Sequence, residues 1–482
     1  MTAKTSNDPV SSDAPAMPRR TGRWFVISLV SITIYALAIQ YTYTQVIAPT
    51  FGYLGERSRT PDLLAYAIGI FATVLLSYTL PTRINTLVNF SLWVLFAFMV
   101  VPLILVPFFA DLGTDRQALT IAGTAFISFG GVSLAVRDRR WEGVPVSPLP
   151  PVAFWFCIGV FSLATHAYIF SVSGFQLASI SLTQVYDIRD TYRETVLQAG
   201  PFYAYAVRLQ GNVVNPLILT KGLLGGPRWL VAAGAFGQLV IYSVTGYKLT
   251  LLSAVAVVAV TTLYRFRRRS RGADILLGAT GVAVLAIVFD YVTGSIVAST
   301  VFVYRLMIVS GTLPAVYFDF FESQPHALWG DSFLSSFVTY PYSTSVAHLI
   351  GAYHTGSPEV TANSNYIADG YANLGLTGVA VEAIVLALLL LLLGSAARGL
   401  PGAMTAGLMV TPLFALVNSS PFTSILSNGF LLAGIILMFA PRTGWGPFDE
   451  ETGTPEATRR DRRRHRGSSG HRRAAPLETR KS

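Results

Sequence analysis

The chain has 482 residues, 52% of them hydrophobic and 12% charged, with a mean hydropathy of +0.52. This balance excludes an ordinary soluble domain, because apolar runs of roughly 18 or more residues, which recur along the chain, indicate membrane helices. The formal charge of +10 does not point to nucleic acid: residues 459–482 carry ten Arg/Lys against Asp461 and Glu478, and a terminal basic block beside a membrane span reads as an anchor to anionic lipid and a topology signal.

Residues 1–23 are polar and rich in Ser, Pro and Ala, and are expected to form a disordered cytoplasmic N-terminus ending on Arg19, Arg20 and Arg23. Twelve apolar windows follow, at 24–47, 63–80, 86–110, 118–136, 151–172, 202–221, 229–246, 249–265, 275–292, 373–397, 402–424 and 427–440. They predict an all-α polytopic membrane protein whose transmembrane region covers 24–440, followed by a disordered basic cytoplasmic tail over 441–482. The single cysteine, Cys157, lies inside an apolar run and allows neither an intrachain disulfide nor a thiolate cluster.

With the N-terminus inside, the inner loops collect Arg83, Arg137 to Arg140, Lys221, Arg228, Arg265 to Arg271, Arg398 and the tail. That is the positive-inside pattern, and the even number of spans returns the C-terminus to the cytoplasm. Two long segments then fall outside, about 173–201 and about 293–372, and these are where extracytoplasmic chemistry is expected.

The first outer segment contains "YDIRDTYRE" over 186–194. On a helix, Arg189 and Arg193 stack at i and i+4, while Asp187, Asp190 and Glu194 fan to the other side. Two adjacent guanidinium groups suit a phosphate or diphosphate; the alternative is an interfacial amphipathic helix whose charges pair among themselves. The span that follows carries Arg208, Gln210, Asn212 and Asn215. An ionisable group at membrane depth faces a polar cavity or a partner, which makes Arg208 a site candidate, unless it snorkels to the headgroups.

In the second segment, Arg305 stands alone in an apolar run, and Asp319, Glu322, His326 and Asp331 follow among Tyr317, Phe318, Phe320, Phe321 and Trp329. Aromatics beside carboxylates suit a carbohydrate, and they suit a membrane interface equally well. Farther on, "GSPEVTANSNYIADGYANLGLTG" offers Asn363, Asn365 and Asp369 as hydroxyl ligands, with Gly375 and Gly378 as turning or packing residues. The chain has no H-E-x-x-H, G-x-S-x-G, Walker, C-x-x-C or D-x-D motif, so neither a metal nor a nucleotide cofactor is expected.

The order of a lone arginine in an apolar run, "VYFDFFESQPHALWGDS", "YPYS" and "NSNYIADGYANLGLTGV" resembles the Wzy-type oligosaccharide repeat unit polymerases. The resemblance is clearest over 301–382 and extends more loosely over 180–222. It implies a GT-C-like membrane glycosyltransferase of the bacterial plasma membrane. Such an enzyme moves a growing glycan from undecaprenyl diphosphate to a lipid-linked repeat unit on the outer face, with a flippase and a chain-length regulator as partners. It also implies that Arg189, Arg193, Arg208 and Arg305 form the cationic set. His326 and Asp331, in the most polar part of the loop, are the catalytic candidates for taking the acceptor proton. The competing readings are a glycan ligase with the same donor, and a transporter or flippase for lipid-linked sugars.

Overall fold

The computed structural model describes residues 22–139, 141–174, 185–266, 270–332 and 334–446. The expected disorder of 1–21 and of 447–482 lies outside these residues. All regular structure among them is helical, apart from two isolated bridges, Ser58 with Ala110 and Arg83 with Arg271.

The helices are α1 (Trp24–Leu54), α2 (Leu63–Ser77), α3 (Leu87–Phe108), α4 (Asp115–Val136) and α5 (Pro151–Ser173). Then come α6 (Val185–Ala199), α7 (201–223), α8 (Trp229–Thr245), α9 (Lys248–Phe266), α10 (Gly272–Thr293) and α11 (Ser299–Phe321). The chain closes with α12 (Val346–Thr355), α13 (Tyr366–Ala396), α14 (Gly402–Leu416), α15 (Pro421–Ser427) and α16 (Phe430–Phe439). Eight of them, α1, α3, α4, α5, α9, α10, α11 and α13, are long and apolar enough to cross a membrane. The pair α15 and α16, bent by 63°, makes a ninth if taken as one broken span. The chain is a multi-pass membrane protein.

Several starts are written in the sequence. Asp62 caps α2 by accepting from Ala65 N, Thr86 caps α3, and Thr114 forms a capping box with Gln117, each satisfying amides that a helix start leaves open. α3 is hydrophobic all round because it is the central post, almost wholly buried against α10, α13 and α14. By contrast, α5, α9 and α10 leave much of their apolar surface uncovered, as helices facing lipid do.

Helix α11 lies inside the segment read as outer. Although its length would allow a crossing, its two ends are tied to the same end of the bundle. Near its start, Tyr304 donates to Glu56, just past α1. Just past its finish, Glu322 accepts from Gln117, in the first turn of α4, and Arg59 pairs with Asp115 at 2.9 Å to hold these two regions side by side.

Four π-helical segments interrupt the bundle, at Tyr43–Ile47, Phe96–Val100, Gln210–Val214 and Ser299–Ile308. A π turn frees carbonyls from the regular ladder. Neighbours take them here: Tyr35 donates to Ala97 O and Ser310 to Phe98 O, and Gln238 donates to Gly211 O.

Helix α13 breaks at Leu374 and Gly375, where Gly375 has φ +60°. Across this break a Cβ on Gly378 would lie 1.9 Å from Gly370 O. Gly378→Ala is therefore expected to destabilise the protein by several kcal/mol, on the scale of severe overpacking against backbone, read as a lowered unfolding midpoint in detergent. A wild-type midpoint would contradict this packing. Ordered chain also continues past 440: Trp445 is fully buried, with Lys221 Nζ 5.1 Å from its ring. The packed structure therefore continues past residue 440.

Candidate functional site

A cavity of about 750 Å³ opens at the end of the bundle that carries α6 and α12. Arg189 and Arg193 of α6, Arg208 and Asn212 of α7, Lys248 at the head of α9, Arg305 of α11, and Glu359 and Asn363 of the loop before α13 all line it. Four arginines from three separate stretches of sequence thus line one space. Asn418 and Asn428, flanking α15, complete its polar wall.

The backbone explains how these side chains converge. On α6 the i and i+4 spacing puts both arginines on the cavity side, while Tyr192, at 4% exposure, packs beside them against Tyr203 and Tyr247. Burial pushes the Tyr192 phenol well above its ordinary pKa, so it stays neutral as a packing group. On α11 the π register, with its i to i+5 period, sets Thr300 and Arg305 on one face, where an α-helix would separate them.

The turn bearing Arg305 is anchored by a buried carboxylate. Glu56, 3% exposed, accepts from Tyr304 at 2.6 Å and from Tyr43 at 3.0 Å, and His354 Nε2 lies 3.6 Å from it. This knot ties α1, α11 and α12 together directly behind Arg305. Glu56→Ala leaves the Tyr304 hydroxyl without its acceptor, while Tyr43 keeps only its bond to Arg57 O. It is expected to lower stability by about 2–4 kcal/mol and to loosen the Arg305 turn, measurable as a drop in unfolding midpoint together with reduced activity. An unchanged midpoint would contradict the anchoring role.

The electrostatics of the cavity are lopsided. Five cationic side chains line it against one carboxylate, Glu359. Arg193 is 3.5 Å from Asp190, but both are largely exposed, so this pair contributes little. Arg189 sits 5.8 Å from the Tyr247 ring and Arg305 5.7 Å from that of Tyr304, contacts that orient a guanidinium without neutralising it. Among the described residues no carboxylate forms an ion pair with Arg208, Arg305 or Lys248. Such a site is built for an anion of more than one charge.

The remaining candidates stand elsewhere, and their contacts are those of fold residues. His326 packs between Phe321 and Tyr371 and faces the break at Gly375. Asp331 accepts from Val346 N at 3.0 Å, at the start of α12, where a carboxylate complements the helix dipole. Asn365 is fully buried as the cap of α13, accepting from Ile367 N and Ala368 N and donating to Ser310 O. Asp369 sits beside Glu382, Trp329 and Ser420, outside the cavity lining. Of the residues expected to bind hydroxyls, only Asn363 lines the cavity. The aromatic cluster likewise differs from a sugar platform: Tyr317, Phe318, Phe321 and Trp329 are buried, with Phe318 stacked on Tyr371 at 3.8 Å. In this loop the polar groups cap helices and the rings fill a small core, because a long segment at the bundle end needs both to hold its shape.

Asn365→Ala is accordingly expected to cost about 1–2 kcal/mol or more, seen as a lower unfolding midpoint, with the remaining folded protein fully active. Lost activity in well-folded protein would return Asn365 to the binding site.

Lys248 and Glu359 escaped sequence reasoning. Lys248 did carry a signal, since "TGYKLT" places a lone cation between two spans on the side opposite the basic loops, where positive charge is unusual. Glu359 had none beyond its polar neighbourhood. No protein-family profile, curated protein or solved structure matches this chain.

Proposed function

We propose that the protein is an oligosaccharide repeat unit polymerase. It transfers a growing glycan from undecaprenyl diphosphate to a lipid-linked repeat unit on the outer face of the bacterial plasma membrane. The observation that carries this reading is the convergence of Arg189, Arg193, Arg208 and Arg305, joined by Lys248, around one cavity in a multi-pass helical protein. A diphosphate carries the multiple negative charge that this set matches, and a lipid-linked one is presented at a membrane surface. If α11 lies along the outer end, and α2, α7, α8, α14 and the pair α15 and α16 all cross beside the seven other long helices, twelve spans result and both termini lie in the cytoplasm. α6 and the 294–365 region are then the two outer segments of a GT-C-like enzyme.

The chemistry follows from the charges. The acceptor hydroxyl oxygen attacks the anomeric carbon of the donor sugar. Glu359, the one carboxylate in the lining, takes the hydroxyl proton. As the new C–O bond forms, the bond from the anomeric carbon to the diphosphate oxygen breaks, and undecaprenyl diphosphate leaves with the electron pair. The cationic set stabilises the charge that grows on it. Asn363, Asn212, Asn418 and Asn428 supply neutral donors and acceptors for sugar hydroxyls.

The test is reconstitution of purified protein in vesicles with undecaprenyl diphosphate-linked repeat units and neither nucleotide nor metal. A ladder of longer glycans with release of undecaprenyl diphosphate is expected. Movement of the intact lipid-linked unit across the bilayer with no new glycosidic bond would contradict the polymerase and leave the flippase reading.

A further inference from the structure

A second cavity, of about 340 Å³, lies between α9 and α10 and shares Leu249, Leu252, Leu306 and Phe414 with the cationic one. The two adjoin at these four residues. Helices α9 and α10 follow each other in the chain but turn to different neighbours: α9 packs on α14, α7 and α8, and α10 on α1, α3 and α11. A cleft remains between them, floored by α3 and α14. Along α9 its lining runs from Leu249 to Leu263, about 21 Å at the α-helical rise, which is most of a bilayer's hydrocarbon depth.

The wall is almost entirely apolar. Ser253 is one of the few exceptions, and its hydroxyl is already engaged by Gln238 and by Thr250 O. Ala256, Ala259, Gly278 and Ala279 make the room. Val255 is 62% exposed at the rim, so the cleft opens sideways to the lipid.

We infer that the cleft between α9 and α10 seats the polyprenyl tail of the lipid whose diphosphate occupies the cationic cavity. This rests on the proposed reading of that cavity as a diphosphate site. A soluble anion needs no apolar channel beginning at the cationic wall, and an ordinary phospholipid does not bring a diphosphate. A ligand with a charged diphosphate head and a long isoprenoid tail fills both spaces at once. Lys248 and Leu249, adjacent at the head of α9, face the two parts of such a molecule.

The experiment uses the full chain in vesicles and a polyprenyl diphosphate carrying a benzophenone in its tail, with labelled peptides identified by mass spectrometry. Labelling is expected on α9 and α10, suppressed about tenfold by excess undecaprenyl diphosphate and little affected by the same excess of phosphatidylglycerol. A Cβ at Gly278 meets no atom within 4 Å, so Gly278→Trp starts from an open position and projects its ring into the cleft. It is expected to cut labelling about tenfold while leaving the binding of inorganic diphosphate unchanged. Equal suppression by phosphatidylglycerol, or labelling of other helices, would overturn the tail seat. Cleft labelling in a protein that builds no glycan ladder would end the polymerase reading and keep the seat; a ladder without cleft labelling would do the reverse.

Discussion

Arg305→Ala is expected to lower glycan elongation by about 10²–10³-fold, the range found when one preorganised donor to a developing oxyanion is removed. The protein should still insert, because the side chain is exposed to the cavity and forms no ion pair among the described residues. Arg305 is the strongest single choice in the set. Its turn is held by the Glu56, Tyr43 and Tyr304 knot, so its guanidinium is fixed before substrate arrives, and preorganisation is what makes such a group effective. Arg305→Lys should recover part of the loss, since it restores the charge but not the planar, bidentate geometry. Elongation is read as the length distribution of lipid-linked glycan at equal protein in the membrane. A wild-type distribution in Arg305→Ala would remove this residue from the donor site.

Glu359→Gln should be nearly as damaging to turnover and should leave donor binding intact. Removal of a positioned general base costs about 10²–10⁴-fold, and glutamine keeps the shape and hydrogen bonding of the side chain without its capacity to accept a proton. Since Glu359 is, among the described residues, the only negative group in a lining with five cations, the substitution also makes the cavity more positive. Affinity for undecaprenyl diphosphate should therefore hold or rise while turnover falls. That split separates a base from a residue that merely orders the loop, whose loss would weaken both. Equal elongation by wild type and Glu359→Gln would exclude the role and leave the polymerase reading otherwise intact.

How much of this was legible in sequence depends on which physical signal each residue carries. Helical class and most of the long spans follow from apolar runs, a strong and local signal. Arg208 and Arg305 stand out for a related reason, because a lone arginine in an apolar run is costly unless it faces a polar cavity or partner. Their convergence on one cavity was not legible, since it depends on the tertiary path of α6, α7 and α11 and on a π register that no periodicity announces.

The loop candidates show the opposite limit. Asn365, Asp369, His326 and Asp331 were attractive because they are polar in a polar segment. The same polarity serves a helix cap, a helix break and a helix N-terminus, and sequence does not separate those duties from ligand binding. Glu359 has the same residue chemistry as its acidic neighbours and differs only in facing the cavity. Position, rather than residue type, decides which polar groups of this segment line the cavity and which cap helices.

The central claim is that the cationic cavity holds the diphosphate of a lipid-linked substrate, and its most direct measurement is a pair of affinities for the purified protein, one for undecaprenyl diphosphate and one for undecaprenol. Wild type should bind the diphosphate at least about 10²-fold more tightly, as several charge-assisted contacts provide, and the ratio should fall towards one when Arg208 and Arg305 are both replaced by alanine. Equal affinities in the wild type, or a ratio untouched by the double substitution, would contradict the account.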